Sequence, residues 1–243
     1  MVPEHLKLAA RTAGLHVSTY SSLLRPEAND TLWELLSNAT SNNNNTTLRL
    51  LIVGGGATAC ELTQSLARLV SPMQGRVVIE VVAPAFLPGE DVTLQAAAIE
   101  LLTREASVRL HLGRVVDILP DRSVTVRHIG NGTFTLPTVD AALLCLGRSP
   151  VASLSSLRLE RAGVEWSGST GIRVHPHTLK SMSARHVAAA GDCCDAVTSR
   201  LRTASQAAWT GFHAVRNLKL PSFLLVGDRS SVNANITRVI YTE

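Results

Sequence analysis

The chain has 243 residues, room for one large domain or two small ones, and its 45% hydrophobic content supplies a real core, which excludes a wholly disordered chain. Its net charge of +4 comes from 23 basic and 19 acidic residues scattered singly, with few and dispersed aromatics. Those features exclude a nucleic-acid footprint and a base-stacking platform.

Residues 1 to 48 carry little pattern. A short helical turn is expected over Asp30–Leu36, then a polar, asparagine-rich loop over Ser37–Thr47 that cannot bury itself. The N-terminus lacks a charged-then-apolar leader and no apolar stretch has the length of a membrane span, so an intracellular chain without a membrane partner is expected.

The first strong signal is Leu50-Leu51-Ile52-Val53-Gly54-Gly55-Gly56-Ala57-Thr58-Ala59-Cys60-Glu61-Leu62. Four apolar residues run into three glycines, and then Ala59, Leu62, Leu66 and Leu69 recur at helical spacing. This predicts a buried strand, a tight turn and a helix. Gly54, Gly56 and Ala59 stand at the positions of G-x-G-x-x-G/A, where glycine permits the turn, lets a pyrophosphate approach the backbone, and a small residue lets the helix pack close. The unpaired N–H groups at the helix start favour the phosphates' charge. A dinucleotide is the predicted ligand.

Val77–Val82 predicts a second buried strand. Glu80 is the acidic candidate for a ribose there, with strand register deciding which way it points, and NAD versus NADP stays open. A helix follows from Glu90-Asp91, with Leu94, Ala98, Leu101 and Leu102 as its apolar face. Val108–Leu112 completes β-α-β-α-β. Val115–Leu119, Ser123–His128 and Thr133–Leu136 predict a small antiparallel meander, and Val139–Leu146 another buried strand. Val187–Ala190 reads as a strand that carries Asp192 to the carboxyl end of a sheet. Thr203–Leu218 predicts a helix with small residues Ala207, Ala208, Gly211 and Ala214 on one face, and Arg238–Tyr241 a last strand.

Together these motifs resemble the pyridine nucleotide-disulphide oxidoreductases, most closely the mercuric reductase-like branch. The glycine stretch through Leu69 is similar to that family's nicotinamide segment, Leu87-Pro88-Gly89-Glu90-Asp91 to its L-P-x-x-D step, and Leu146-Gly147-Arg148-Ser149-Pro150 to its T-G-R-x-P segment with Leu146 for Thr. Ala189-Ala190-Gly191-Asp192 is similar to its A-G-D, and Arg238–Glu243 to the first strand of its dimerisation domain. The resemblance implies hydride transfer from NAD or NADP to FAD, with Gly54, Gly56, Ala59 and Glu61 at the nicotinamide nucleotide, Gly147 in a loop closing over it, and Asp192 at the flavin. It implies a homodimeric family. Neither an N-terminal FAD fingerprint nor a C-x4-C pair occurs in this chain, so no catalytic residue is assigned.

The expected fold is therefore α/β: a Rossmann-like domain of parallel sheet plus antiparallel meander over 49–146, then the second half of a FAD-binding domain over 147–221. Residues 1–48 are expected as a poorly defined segment and 222–243 as the start of a dimerisation domain. A central fragment, inactive alone as a reductase, is expected; a non-catalytic nucleotide-binding remnant is the alternative. Cys193-Cys194 reads as two side chains after a turn, His175-Pro176-His177 lacks further ligands nearby, and Ser205 and His213 lack an acid, so metal and hydrolase sites are not expected.

Overall fold

The computed structural model describes residues 4–23, 31–41, 47–73, 75–147, 149–150, 154–197, 202–220 and 239–242. It divides into two compact units, one of residues 1–147 with 240–243 and one of 148–239.

In the first unit the described elements are α1 (Glu4–Thr12), β1 (His16–Thr19), α2 (Tyr20–Leu23), α3 (Thr31–Ser41), β2 (Leu48–Val53), α4 (Ala57–Val70), β3 (Val77–Ala83), α5 (Val92–Thr103), β4 (Val108–Ile118), β5 (Val124–His128), β6 (Thr133–Leu136) and β7 (Ala141–Leu144). The strands form one sheet in the order β1-β7-β2-β3-β4-β5-β6. β1, β7, β2 and β3 run parallel, joined by the first half of β4; β5 and β6 are antiparallel. Every residue of β3 is buried, as a central parallel strand covered on both faces requires. Leu50, Ile52, Ile79 and Val81 pack with Leu36 of α3, Leu66 of α4 and Leu102 of α5. Leu51, Val82 and Ala142 pack the other way, with Ala10 of α1 and with Val124, Val126 and Leu136.

Residues 4–23 differ from the expected undefined segment. They hold α1, and the four residues of β1 pair parallel with β7, Val17 opposite Ala142. So short a strand at a sheet edge carries no readable apolar period. Of the asparagine-rich loop, residues 42–46 lie outside the described residues. On α4 the buried line is Ala59, Cys60, Thr63, Leu66, Ala67 and Val70, while Leu69 is half exposed; the true stripe is rotated from the expected one. On α5, Ala98 and Leu102 are buried but Leu94 is exposed. β4 is one continuous strand where two were expected. It leaves β3 after Leu112, continues through Gly113 against β5, and bulges between Val115 and Asp117. A Cβ at Gly113 would stand 2.6 Å from the Arg127 carbonyl oxygen, so only glycine lets the ribbon fold over there.

The second unit holds a short hairpin, β8 (Trp166–Ser167) and β9 (Gly171–Ile172), and α6 (Ala204–Lys219) capped by Thr203. Its core gathers Leu154, Val164, Ile172, Leu179, Ala189, Cys194 and Ala214. Val187–Ala190 is not a strand of a parallel sheet. Its backbone meets 179–181 instead: Ser181 N–H donates to the Val187 carbonyl and Ala189 N–H to that of Leu179. The face α6 buries is Gln206, Thr210, His213, Ala214 and Asn217, whereas Ala208 is exposed. Two of its buried polar side chains bond to main chain: Asn217 Nδ2 donates to the Thr178 carbonyl at 3.0 Å and Thr210 Oγ1 to that of Gln206 at 2.7 Å. The expected last strand lies partly outside the described residues, and Val239 to Thr242 run as irregular chain.

Candidate functional site

β2 ends at Val53, between β7 and β3, at the carboxyl edge of the parallel sheet. Gly54 N–H donates to the Val82 carbonyl at 2.9 Å, and Cys145 N–H to that of Val53 at 2.8 Å. Both bonds pin the turn to its neighbouring strands. Gly54 has φ +128°, and a Cβ there would lie 2.3 Å from the Cys145 carbonyl oxygen. A Cβ at Gly55 would lie 2.1 Å from the carbonyl oxygen of Ala85, in the loop after β3. At Gly56, by contrast, a Cβ would meet nothing within 4 Å. Two glycines are thus demanded by protein backbone, and the third faces open space.

Gly56 is the N-cap of α4, with extended backbone and no side-chain cap. The N–H groups of the first turn have no partner inside the helix and point off its end, a ready anion site. Ala59 is buried, so the helix start lies close on the sheet. Glu61, one turn on, accepts the Tyr241 N–H at 3.0 Å through Oε1. That partner is 180 residues away and no local pattern announces it. The loop after β3 closes the site from the other side: Leu87 N–H donates to the Gly55 carbonyl, and Asp91 caps α5 through the Thr93 N–H at 2.8 Å. Gly147, three residues beyond β7, has φ +88° and nothing within 4 Å of its Cβ position. Arg148 lies outside the described residues.

The structure thus brings Gly54, Gly56, Ala59 and Glu61 into one turn and helix start, with Gly147 in the same unit. Asp192 belongs to the other unit, in the half-buried turn Gly191–Cys193. Glu80 is not at the ribose position. It lies inside β3, 1% exposed, where Arg49 Nη1 donates to its Oε1 at 2.8 Å, His111 Nε2 bonds Oε2 at 2.7 Å and Arg109 stands at 3.8 Å. Burial pushes its carboxyl pKa up, but the His111 hydrogen bond and the charges of His111, Arg109 and Arg49 outweigh that and hold it below the ordinary value. Its partners come from β2 and β4, which single-strand reading does not bring together.

All four cysteines are free. Burial pushes the Cys60 and Cys194 thiols up to about 11 and that of Cys145 to about 12, so none of the three is a thiolate at neutral pH. Iodoacetamide at pH 7 should leave all three unmodified until denaturant is added; mass-spectrometric labelling of the folded chain checks this. Among the described residues no group of three or more His, Cys, Asp or Glu is arranged to hold a metal, and no helix is long and apolar enough to cross a membrane.

A glycine turn at the sheet's carboxyl edge, with an open N-cap, is the geometry common to dinucleotide sites. The family model for pyridine nucleotide-disulphide oxidoreductase matches residues 21–211. The chain belongs to that family. The family's description names a pyridine nucleotide, the class of ligand that the geometry of the turn fits. Among solved structures it is similar to the sulfide:quinone oxidoreductase from the hyperthermophilic bacterium Aquifex aeolicus, with TM-score 0.53 and 13% identity. The match covers 80% of this chain and 44% of that one, so this chain spans less than half the neighbour's length. At that identity the likeness speaks to fold alone, a mixed α/β architecture with a mostly parallel sheet. No curated protein sequence matches the chain.

Proposed function

We propose that the 1–147 unit binds a nicotinamide dinucleotide at the Gly54–Gly56 turn, within a flavin-dependent reductase that passes hydride from NAD(P)H to FAD. The contrast among the three glycines carries this reading. Gly54 and Gly55 answer to protein backbone, whereas Gly56 answers to nothing in the chain, which is what a cradle for a pyrophosphate needs. The first-turn N–H groups of α4 would hold the phosphates, and the helix dipole favours their charge. Glu61 has Oε1 engaged by Tyr241 and offers Oε2 as an acceptor to a ligand N–H or O–H. Gly147 opens the loop proposed to close over the nucleotide. Asp192 is the flavin contact proposed from the second unit. The bound nicotinamide supplies the hydride; the residues here bind and orient it.

Gly56→Val tests the reading. With φ −74° and free space around the position, the variant should stay folded, with only the modest fall in melting temperature that a lost glycine N-cap brings. Its affinity for NADH and NADPH should fall at least roughly tenfold in calorimetric titration, the loss of one charge-assisted contact to the pyrophosphate. Equal affinity in both chains, or none in the unmutated one, would sink the proposal. A flavin absorbance band with diaphorase activity in the purified chain separates a working reductase from the alternative of a non-catalytic nucleotide-binding module.

A further inference from the structure

Beyond the turn, one exposed patch breaks the rules of strand pairing. β4 runs beside β3 until Leu112 stands opposite Ala83, the last residue of β3. Two residues on, Arg114 stands directly opposite Arg127 of β5. Both arginines are exposed, and neither forms an ion pair among the described residues. Like charges directly across an antiparallel pair are destabilising. In the preceding row of the ribbon, Ile129 N–H donates to the Leu112 carbonyl at 3.4 Å, and both of those side chains are exposed too. By the two-residue alternation of strands, Leu112 and Arg114 share one face with Arg127 and Ile129. The result is a block of two apolar and two basic side chains that nothing in the chain explains as packing.

Its place gives it a use. In a doubly wound sheet the adenosine ribose lies beyond the end of the second strand, which here is β3. A carboxylate at that end would hold a free 2′-hydroxyl and repel a 2′-phosphate. β3 instead ends in Val82-Ala83-Pro84, and Glu80 is consumed by Arg49 and His111 inside the sheet. The end of β3 itself thus offers no acid to a ribose, Asp91 of the following loop being engaged in capping α5, and it lies beside the strand that carries Arg114. Arg114 lies two residues past Ala83's partner, about 7 Å along the strand. That distance is within the span of an arginine side chain.

We propose that Arg114 and Arg127 receive the 2′-phosphate of the dinucleotide, with Leu112 and Ile129 as the apolar surface beside the adenine, so that the chain selects NADPH over NADH. The assignment rests on the dinucleotide reading above. A phosphate dianion suits two adjacent guanidinium groups, each able to donate paired N–H bonds, and it removes the repulsion between them.

The test is calorimetric titration of the full chain with NADPH and with NADH, repeated on Arg114→Ser/Arg127→Ser. Both positions are exposed and the change relieves a like-charge pair, so the double variant should melt no lower than the parent. The unmutated chain should bind NADPH at least roughly tenfold more tightly than NADH. The double variant should lose that preference through weaker NADPH binding, with NADH affinity unchanged. Equal binding of the two nucleotides by the unmutated chain overturns the assignment and leaves the dinucleotide site standing. So does a preference that survives the double change, or a loss of NADH binding equal to that of NADPH. Binding of neither nucleotide removes the dinucleotide reading and this assignment with it.

Discussion

Gly55→Ala should cripple the stability of the first unit, whereas Gly56→Ala, one residue on, should cost far less. The methyl group at Gly55 would have to share space with the Ala85 carbonyl oxygen at 2.1 Å and the Ala83 Cβ at 2.8 Å. The first obstacle is backbone and cannot rotate away. Relief requires the loop after β3 to move, and that loop is held by the Leu87 N–H to Gly55 carbonyl bond. Overpacking a rigid site costs about 1–3 kcal/mol and occasionally more; a clash with main chain belongs at the upper end. At Gly56 the same methyl meets open space, and only the preference of an N-cap for glycine over alanine is lost, up to about 1 kcal/mol. Denaturant midpoints of the two variants check the contrast. Equal midpoints would mean that the turn is not seated as described.

Glu80→Gln is the second large effect expected. The substitution keeps the shape and removes the charge that Arg49, His111 and Arg109 surround. Breaking a fully buried ion pair costs about 3–5 kcal/mol; Arg49 and His111 keep roughly a fifth of their side chains in water, which lowers the expectation to about 2–3 kcal/mol. The pH dependence has a definite sign. The folded carboxyl has a pKa below its ordinary 4.5, so the unfolded chain binds the proton more readily. Its stabilisation is complete above that value and disappears as pH falls through the folded pKa. The stability gap between parent and variant should therefore be widest near neutrality and narrow progressively as pH falls below the ordinary value of 4.5. A gap independent of pH would show that Glu80 acts through packing alone.

The readable parts of this chain were those whose cause is local. A buried parallel strand is a run of apolar residues, so β2, β3 and β7 stand out, and the strand-glycine-helix order places Gly54, Gly56 and Ala59 together. Where partners come from afar, the pattern is silent. Nothing near His16-Val17-Ser18-Thr19 announces a strand, because its pairing with Ala141–Leu144 arises across the sheet. Glu80 reads as a ribose ligand until Arg49 and His111 arrive from the strands on either side. Gly113 reads as a break because glycine in a strand weakens it, yet here it is the hinge of an unbroken one. Leu62 and Leu69 suggest the inner line of α4, but Ala59, Cys60, Leu66, Ala67 and Val70 take it, a stripe rotated from the expected one. In the second unit, Val187–Ala190 is apolar enough for a sheet, but its backbone bonds are taken up by 179–181.

The order of strands also has a consequence for how the chain is made. β7 is slotted between β1 and β2, although it is synthesised about 90 residues after β2 ends. At typical elongation rates of about 5–20 residues per second, β1 and β2 wait roughly 5–20 s for the strand that joins them. Through that interval both present bare edges to whatever the ribosome's surroundings offer. The sheet cannot be zipped up vectorially from the N-terminus; an inner strand is its last piece. Such long-range closure slows folding, and it leaves the nascent chain, more than the finished one, open to pairing with the wrong strand.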